Sequence, residues 1–256
     1  HLEVIRKRND GFHDISSLFT LIELFDSITL IKNSNSIELV ESIPIKNNIV
    51  LKAANLLKDI FSVKEGVKIE LVKAIPDQKG LGGGSSDAAS TLLGLRKFWN
   101  LNISDKDLAK IALKLGSDVP FFIYGKTAWA EGRGEILTEY PYKKKYYLLF
   151  FPALKINTKN AFEQANFLHR TKINKKNFTI DQSFNSFEEW IRSTYSEMEE
   201  AFENLRLIGE PKLSGTGSTI FIEFDDKAAA KSAQKHFPEL VLTKSLERSP
   251  LMQIIE

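Results

Sequence analysis

The sequence predicts an α+β protein of two domains. Three observations carry that expectation. Stretches of strand and helix character alternate irregularly instead of repeating as βαβ units. The chain has 256 residues, enough to bury a large core and to build more than one domain. Tyr140-Pro141 followed by Lys143-Lys144-Lys145 makes a polar break, which divides the chain into an expected N-terminal domain, 1–140, and a C-terminal domain, 141–256. The lysine run itself reads as a solvated edge rather than a binding patch.

The elements follow in order. His1–Lys7 alternates apolar and charged residues and reads as a strand, closed by the turn residues Arg8-Asn9-Asp10-Gly11. Ile15–Asn33 reads as one or two strands around Asp26-Ser27, and Ser36–Ser42 as another. Asn47 or Asn48 can cap a helix over Ile49–Phe61 with Ile49, Ala53, Leu56 and Ile60 on one face. Val67–Ala74 is a strand, and the glycine-rich run Lys79–Asn100 follows it. There a helix is expected from Asp87, with Ala88, Leu92, Leu95 and Trp99 at helical spacing, Ala89 and Leu93 beside them, and Ser85, Ser86 or Asp87 as its cap.

Ser104-Asp105-Lys106-Asp107 resembles a capping box for a helix that buries Leu108, Ile111, Ala112 and Leu115 and ends at Gly116. Thr127–Glu131 is a strand with a turn at Gly132-Arg133-Gly134, and Tyr146–Phe151 is a strand of buried type. Thr158–His169 and Phe184–Asn204 read as helices around a polar loop, Lys172–Ser183. Lys212–Phe224 leads from a second glycine loop into a strand. Asp226–His236 is a helix, and a last strand starts near Val241.

Composition excludes several classes of function. A net charge of +2 gives no electrostatic footprint for nucleic acid or an anionic membrane. No cysteine is present, which removes disulfides, zinc–thiolate sites and thiol nucleophiles and fits a reducing, cytoplasmic setting. No apolar run approaches the roughly 20 residues needed to span a bilayer.

Four stations remain for chemistry. The first is the strand–glycine loop–helix passage around Gly82-Gly83-Gly84-Ser85-Ser86. Glycines let backbone approach a ligand, and a helix N-terminus attracts an anion, so the loop reads as a phosphate cradle, or else as a close-packed turn. It lacks the lysine of a G-x-x-x-x-G-K-[ST] loop and the spacing of a dinucleotide fingerprint. The second is Pro211–Ser218, where Gly215 and Gly217 flank Thr216. It is either a tight turn or a set of donors that completes a nucleotide pocket.

The third station is Gly116-Ser117-Asp118-Val119-Pro120. Asp118 can cap a short helix that has Pro in its first turn, or it can be a carboxylate that orients and deprotonates a hydroxyl. The fourth is Asp10-Gly11-Phe12-His13 with Phe162, which composition alone leaves open between packing and ligand contact.

Taken in order, K-R-x-D-G-F-H, P-x-x-x-G-L-G-G-G-S-S-D-A-A, G-S-D-V-P-F-F, A-E-G-R-G-E and S-G-T-G-S resemble the GHMP kinases, the family of galactokinase, homoserine kinase and mevalonate kinase. The resemblance covers nearly the whole chain and is closest to the branch that acts on a cytidine diphosphate-linked methylerythritol. It implies the two-domain GHMP kinase fold, with an N-terminal domain like ribosomal protein S5 and a ferredoxin-like C-terminal domain.

The resemblance also implies the site. ATP, with Mg2+, would be held by Lys79, Gly80, Gly82, Gly83, Gly84, Ser85 and Ser86, with Asn48 near the adenine. Asp118 would be the catalytic carboxylate. The substrate would meet His13 at the base edge, Phe12 and Phe162 on its faces, and Thr158, Gly215, Thr216 and Gly217 further along. A family lysine in a K-x-N pattern would precede His1. No nucleic-acid or membrane partner is expected, and the protein would be a monomer or a weak homodimer. Two rival readings are a GHMP-fold binding protein without kinase activity and, from the S5-like domain alone, an RNA-binding module, which the balanced charge opposes.

Overall fold

The structure, a computed structural model, describes residues 1–165, 167, 175–176 and 178–255. Its strands are β1 (Leu2–Lys7), β2 (His13–Phe19), β3 (Leu21–Ile22), β4 (Ser27–Asn33), β5 (Ile37–Glu41), β6 (Gly66–Val72), β7 (Ala128–Gly132), β8 (Ile136–Glu139), β9 (Tyr146–Phe150), β10 (Pro211–Leu213), β11 (Ile220–Phe224) and β12 (Val241–Leu246). Its helices are α1 (Ile49–Phe61), α2 (Gly83–Phe98), α3 (Asp105–Ala112), α4 (Val119–Tyr124), α5 (Thr158–Gln164), α6 (Glu188–Thr194), α7 (Ser196–Leu205), α8 (Lys227–Gln234) and α9 (Leu251–Ile255). The chain groups into two compact units. One comprises His1–Glu23, Pro76–Leu81 and Thr127–Glu247; the other comprises Leu24–Ile75, Gly82–Lys126 and the segment from Arg248.

In the second unit a sheet of order β4-β6-β5 backs α1, α2, α3 and α4. The β5–β6 pair is parallel and α1 is its crossover. On central β6 the pleat sends Val67, Ile69 and Leu71 into the core, while Lys68 and Glu70 stay partly exposed. Leu92, Leu93 and Leu95 of α2 and Leu108 of α3 complete that core. The helix over Ile49–Phe61 forms as expected, with the Asn48 side chain accepting from the Val50 amide at 2.9 Å.

The inward face of α1 differs from expectation. Val50, Ala53, Ala54 and Leu57 are buried, whereas Ile60 is 42% exposed. Apolar residues at Ile49, Val50, Leu51, Leu56, Leu57 and Ile60 offer two overlapping stripes, and packing against the sheet and α2 selects one of them. Ser104 caps α3 by accepting from the Asp107 amide at 3.2 Å, but the helix ends at Ala112 and unwinds in short turns before Gly116, which is therefore not its C′ residue.

The first unit holds two antiparallel sheets, β1-β2-β7-β8 and β10-β11-β9-β12-β3. β9 lies in the middle of the second of these, with Tyr147, Leu148 and Leu149 buried. Phe187, Ile191, Met198 and Phe202 are wholly buried against Ile220 and Leu213. The helix expected over Phe184–Asn204 is two helices, broken at Tyr195, whose backbone is extended (φ −123°, ψ 105°). No Gly or Pro marks the break. Ser193-Thr194-Tyr195 is a run of weak helix formers, and Arg192 ties the two helices together through Glu199 at 2.6 and 2.9 Å. α5 stops at Gln164, and His169, the expected end of that helix, lies outside the described residues, as do 172–174 and 177 of the loop before Ser183. β8 and α9 had no counterpart in the sequence reading.

The choice of face on α1 is testable by urea denaturation. Leu57→Ala should cost about 2–5 kcal/mol by leaving a cavity. Ile60→Ala should stay within about 1 kcal/mol.

Candidate active site

In the second unit, the glycine run does not precede α2 but opens it. Gly82, in the left-handed region (φ 67°), is the N-cap residue, and the helix starts at Gly83 rather than Asp87. Ser85, Ser86 and Asp87 are thus in its first turns, not at its cap. Among the described residues no side chain caps this terminus, and the amides of Gly83, Gly84 and Ser85 point out of the helix at the positive end of its dipole. Bare glycines are required by close neighbours. A Cβ on Gly83 would sit 2.9 Å from Ile75 Cγ2, and one on Gly82 would sit 3.0 Å from the Phe122 ring of α4. Gly84 is different: an added Cβ would meet only Ile49 Cγ2, at 3.8 Å, so its surface stays open.

Beneath this terminus lies a buried ionic cluster that sequence reasoning missed. Lys73 Nζ donates to Asp26 Oδ2 at 2.5 Å and to Asp87 Oδ2 at 2.7 Å, with all three side chains at most 7% exposed. Asp26 Oδ1 also accepts from the Ala74 and Ile75 amides, at 2.6 and 2.8 Å. Burial opposes the charge on Lys73, yet its hydrogen bonds to the two carboxylates hold its pKa above the ordinary lysine value. Burial pushes the Asp87 carboxyl up to about 7, against the pull of Lys73. The available signal was the charge at Lys73 and Asp87, at the end of a buried strand and inside an apolar helix.

Asp118 occupies the N-cap position of α4, but its side chain caps no amide. The capping reading of Asp118 therefore fails, and the residue as a whole is exposed. Crowding by the surrounding protein nevertheless desolvates that carboxyl and raises its pKa above the usual range. The Gly116–Asp118 turn runs beside the first turn of α2, since a Cβ on Gly116 would lie 4.0 Å from Ser85 Oγ. Asn48 is committed twice, accepting from Val50 N and donating to Glu41 Oε2 at 2.6 Å.

The first unit carries the remaining candidates. Gly215 (φ 55°) and Gly217 (φ 88°) let the Ser214–Ser218 turn fold tightly against Gly80, whose carbonyl would lie 2.8 Å from a Cβ on Gly215. The Thr158 and Thr216 hydroxyls are 3.2 Å apart. Lys79 is buried, with its ammonium on the Pro152 and Leu154 carbonyls and Ser218 Oγ. His13 stacks on Phe162 with centroids 4.9 Å apart, and burial, with Lys7 nearby, lowers its pKa. The Arg133 guanidinium covers the Phe12 ring at 4.2 Å, and Phe162 packs edge-on to Phe187. Arg133 belongs to the A-E-G-R-G-E segment, and the sequence assigns it no contact with Phe12.

An uncapped helix N-terminus with a carboxylate in the turn beside it is an arrangement that phosphoryl transfer can use, and the comparisons give the class, a small-molecule kinase. The GHMP kinases N terminal domain matches residues 48–126, and the GHMP kinases C terminal model matches 167–241. The chain is 38% identical over 259 residues to 4-diphosphocytidyl-2-C-methyl-D-erythritol kinase of Acinetobacter baylyi, covering 98% of this chain and 93% of the relative. It is 40% identical to the kinase of the same name from Buchnera aphidicola subsp. Schizaphis graminum, over 95% of this chain and 89% of that one. The chain belongs to the GHMP kinases, in the family of the 4-diphosphocytidyl-2-C-methyl-D-erythritol kinases.

Among solved structures, a 4-(cytidine 5'-diphospho)-2C-methyl-D-erythritol kinase superposes with a TM-score of 0.84 at 27% identity, covering 95% of this chain and 94% of that one. A mevalonate kinase superposes at 0.64 with 15% identity over 94% of each chain, a likeness of fold alone. Among the described residues no helix is long and apolar enough to cross a membrane.

The Asp87 carboxyl makes stability depend on pH. Its folded value, about 7, is raised above the 3.8 of the ordinary group, so the folded state holds a proton that the unfolded chain has lost. The stability this confers is full below the unfolded value and is lost as pH rises through the folded one. Wild type should therefore lose stability relative to Asp87→Asn as pH rises across that window, with a slope on the order of 1 kcal/mol per pH unit. Urea melts at stepped pH would read it, and parallel curves for the two proteins would contradict it.

Proposed function

We propose that this chain transfers the γ-phosphoryl group of ATP to the 2-hydroxyl of 4-diphosphocytidyl-2-C-methyl-D-erythritol, a step in the non-mevalonate route to isoprenoid precursors. The observation that carries the reading is the uncapped start of α2 beside the Asp118 turn, together with near-full-length identity to kinases of that name. Phosphoryl transfer needs positioning and charge neutralisation more than covalent help from the protein. The amides of Gly83, Gly84 and Ser85, with the Ser86 hydroxyl nearby, would hold ATP phosphates, and Asp118 would take the proton of the attacking hydroxyl. A raised carboxyl pKa suits a base that works near neutrality.

Mg2+ would travel with ATP, held mainly through phosphate oxygens, because no cluster of three or more acidic, His or Cys side chains is found among the described residues. Asn48 would stand near the adenine while it caps α1. His13 and Phe162 would receive the pyrimidine, with Phe12 at the margin under Arg133. Gly215, Thr216, Gly217 and Thr158 would contact the acceptor.

The division into modules 1–140 and 141–256 is kept as part of this reading. The two matched family segments fall on either side of it, although the contact grouping sends β1, β2 and β3 with the later residues. We also read the protein as cytoplasmic, which the absence of cysteine fits, and as a monomer or weak homodimer. A binding protein without catalysis has no specific observation in its favour.

The deciding experiment is an ATP-dependent kinase assay with the cytidyl substrate beside methylerythritol phosphate that lacks the cytidyl group. Phosphorylation of the cytidyl compound, with little or none of the other, is expected. Equal rates would remove the base from recognition, and no rate on either would remove the assignment.

Asp118→Asn should lower turnover by about 10²–10⁴-fold with nucleotide affinity near normal. In wild type the acidic limb of the rate profile should lie above the ordinary carboxylate range, following the raised pKa. The same raised value means that ionised Asp118 costs stability as pH rises, so Asp118→Asn should melt no lower than wild type at neutral pH. A variant with near-normal turnover, or a large drop in melting temperature, would contradict this role.

A further inference from the structure

The sequence places Lys79 at the mouth of the phosphate loop, where a lysine invites assignment to ATP. Its surroundings argue otherwise. The side chain is buried, with the residue 7% exposed. Its ammonium reaches the Pro152 carbonyl, the Leu154 carbonyl at 2.5 Å and Ser218 Oγ at 3.3 Å. An ammonium has three N–H donors, and three oxygens of the protein take them. Ser218 is drawn in twice, since its hydroxyl also donates to the Leu154 carbonyl at 2.5 Å.

The backbone of the same residues is stitched to the same turn. The Lys79 carbonyl accepts from Thr219 N at 3.1 Å, the Gly80 carbonyl accepts from Ser214 Oγ at 2.8 Å, and a Cβ on Gly80 would collide with the Ser214 carbonyl. Lys79 therefore grips two segments at once. One, through Pro152 and Leu154, runs forward to Asn157, the cap of α5, and to Thr158, its first residue. The other, through Ser218, ends two residues past Thr216. The Thr158 and Thr216 hydroxyls, one on each of these segments, are 3.2 Å apart.

We propose that Lys79 is a positioning residue of the acceptor site, whose buried ammonium sets the Thr158–Thr216 hydroxyl pair, and that it is not a phosphate ligand. The proposal rests on the reading above that this pair contacts the acceptor. Desolvation, with Lys155 nearby, lowers the pKa of the Lys79 ammonium, consistent with a cation held for its hydrogen bonds in a site poor in water.

The test is Lys79→Met, assayed for acceptor KM and kcat and, by calorimetry, for affinity toward a non-hydrolysable ATP analogue. The acceptor KM should rise about tenfold, kcat should fall by less, and analogue affinity should stay within about twofold. A tenfold loss of analogue affinity with an unchanged acceptor KM would overturn the proposal in favour of a phosphate ligand. Thr158→Val supplies the coupling measurement. Alone it should raise the acceptor KM, and combined with Lys79→Met it should raise it no further than the larger single change.

Increments that multiply would mean that Lys79 acts elsewhere, and would overturn the proposal. An unchanged KM in Thr158→Val alone would overturn the acceptor role of the pair, and Lys79's with it, while turnover on the cytidyl substrate still reports on the kinase reading separately. Should Lys79→Met fail to fold, Ser218→Ala removes one strand of the grip and keeps the ammonium on its two carbonyls. It should raise the acceptor KM about threefold at constant analogue affinity; an acceptor KM equal to wild type would overturn the proposal.

Discussion

The start of α2 leaves its first amides without a capping side chain, and much of the second unit is arranged to hold that start in place. A helix terminus of this kind costs free energy unless water or a ligand satisfies its amides. It survives because the structure around it leaves no other path for the chain. Gly82 turns left-handed under the Phe122 ring, Gly83 is pressed against Ile75, and the following turns sink Ala88, Ala89, Leu92 and Leu93 into the core. The terminus is thus held rigid by apolar packing one turn deeper while its polar groups face outward. That is the condition under which the anion site proposed above would not reorganise on binding.

The Asp26–Lys73–Asp87 cluster serves the same end by electrostatic means. Buried ion pairs are weak evidence of stability, because desolvation offsets most of the attraction. Their value here is geometric. Asp26 accepts the amides of Ala74 and Ile75, Lys73 bridges to Asp87, and Asp87 stands in the second turn of α2. The end of β6 and the beginning of α2 are clamped at one point. The clamp includes a carboxyl that burial pushes up to about 7, against the pull of Lys73.

The second glycine loop follows a parallel logic in the first unit with a different fastener. Gly215 and Gly217 allow backbone to lie against Gly80, and the Lys79 ammonium joins the turn to the end of the strand that precedes α5. In both units a lysine on the loop side is satisfied by oxygens of the protein. The resemblance implied a phosphate contact for Lys79, whereas the proposal above rests on its burial and on the three protein oxygens that its ammonium reaches.

Much of this was legible in the sequence. The α+β class, the helix over Ile49–Phe61 with its Asn48 cap, the buried strand at Tyr146 and the glycine loops all follow from local rules, because capping, periodicity and turn chemistry act over a few residues. The motif order also carried the family, since side chains that bind a ligand must recur at set places along the chain. Packing decided what local rules leave degenerate: which stripe of α1 turns inward, where Ser193-Thr194-Tyr195 breaks a helix, and that α2 begins at Gly83 instead of Asp87. Only the tertiary structure could pair Lys73 with Asp26, 47 residues away in sequence, seat Lys79 on carbonyls more than 70 residues downstream and place Arg133 over Phe12. The physical reason is that a charged side chain is read by its partners, and those partners come from distant parts of the chain that only folding brings within hydrogen-bond reach.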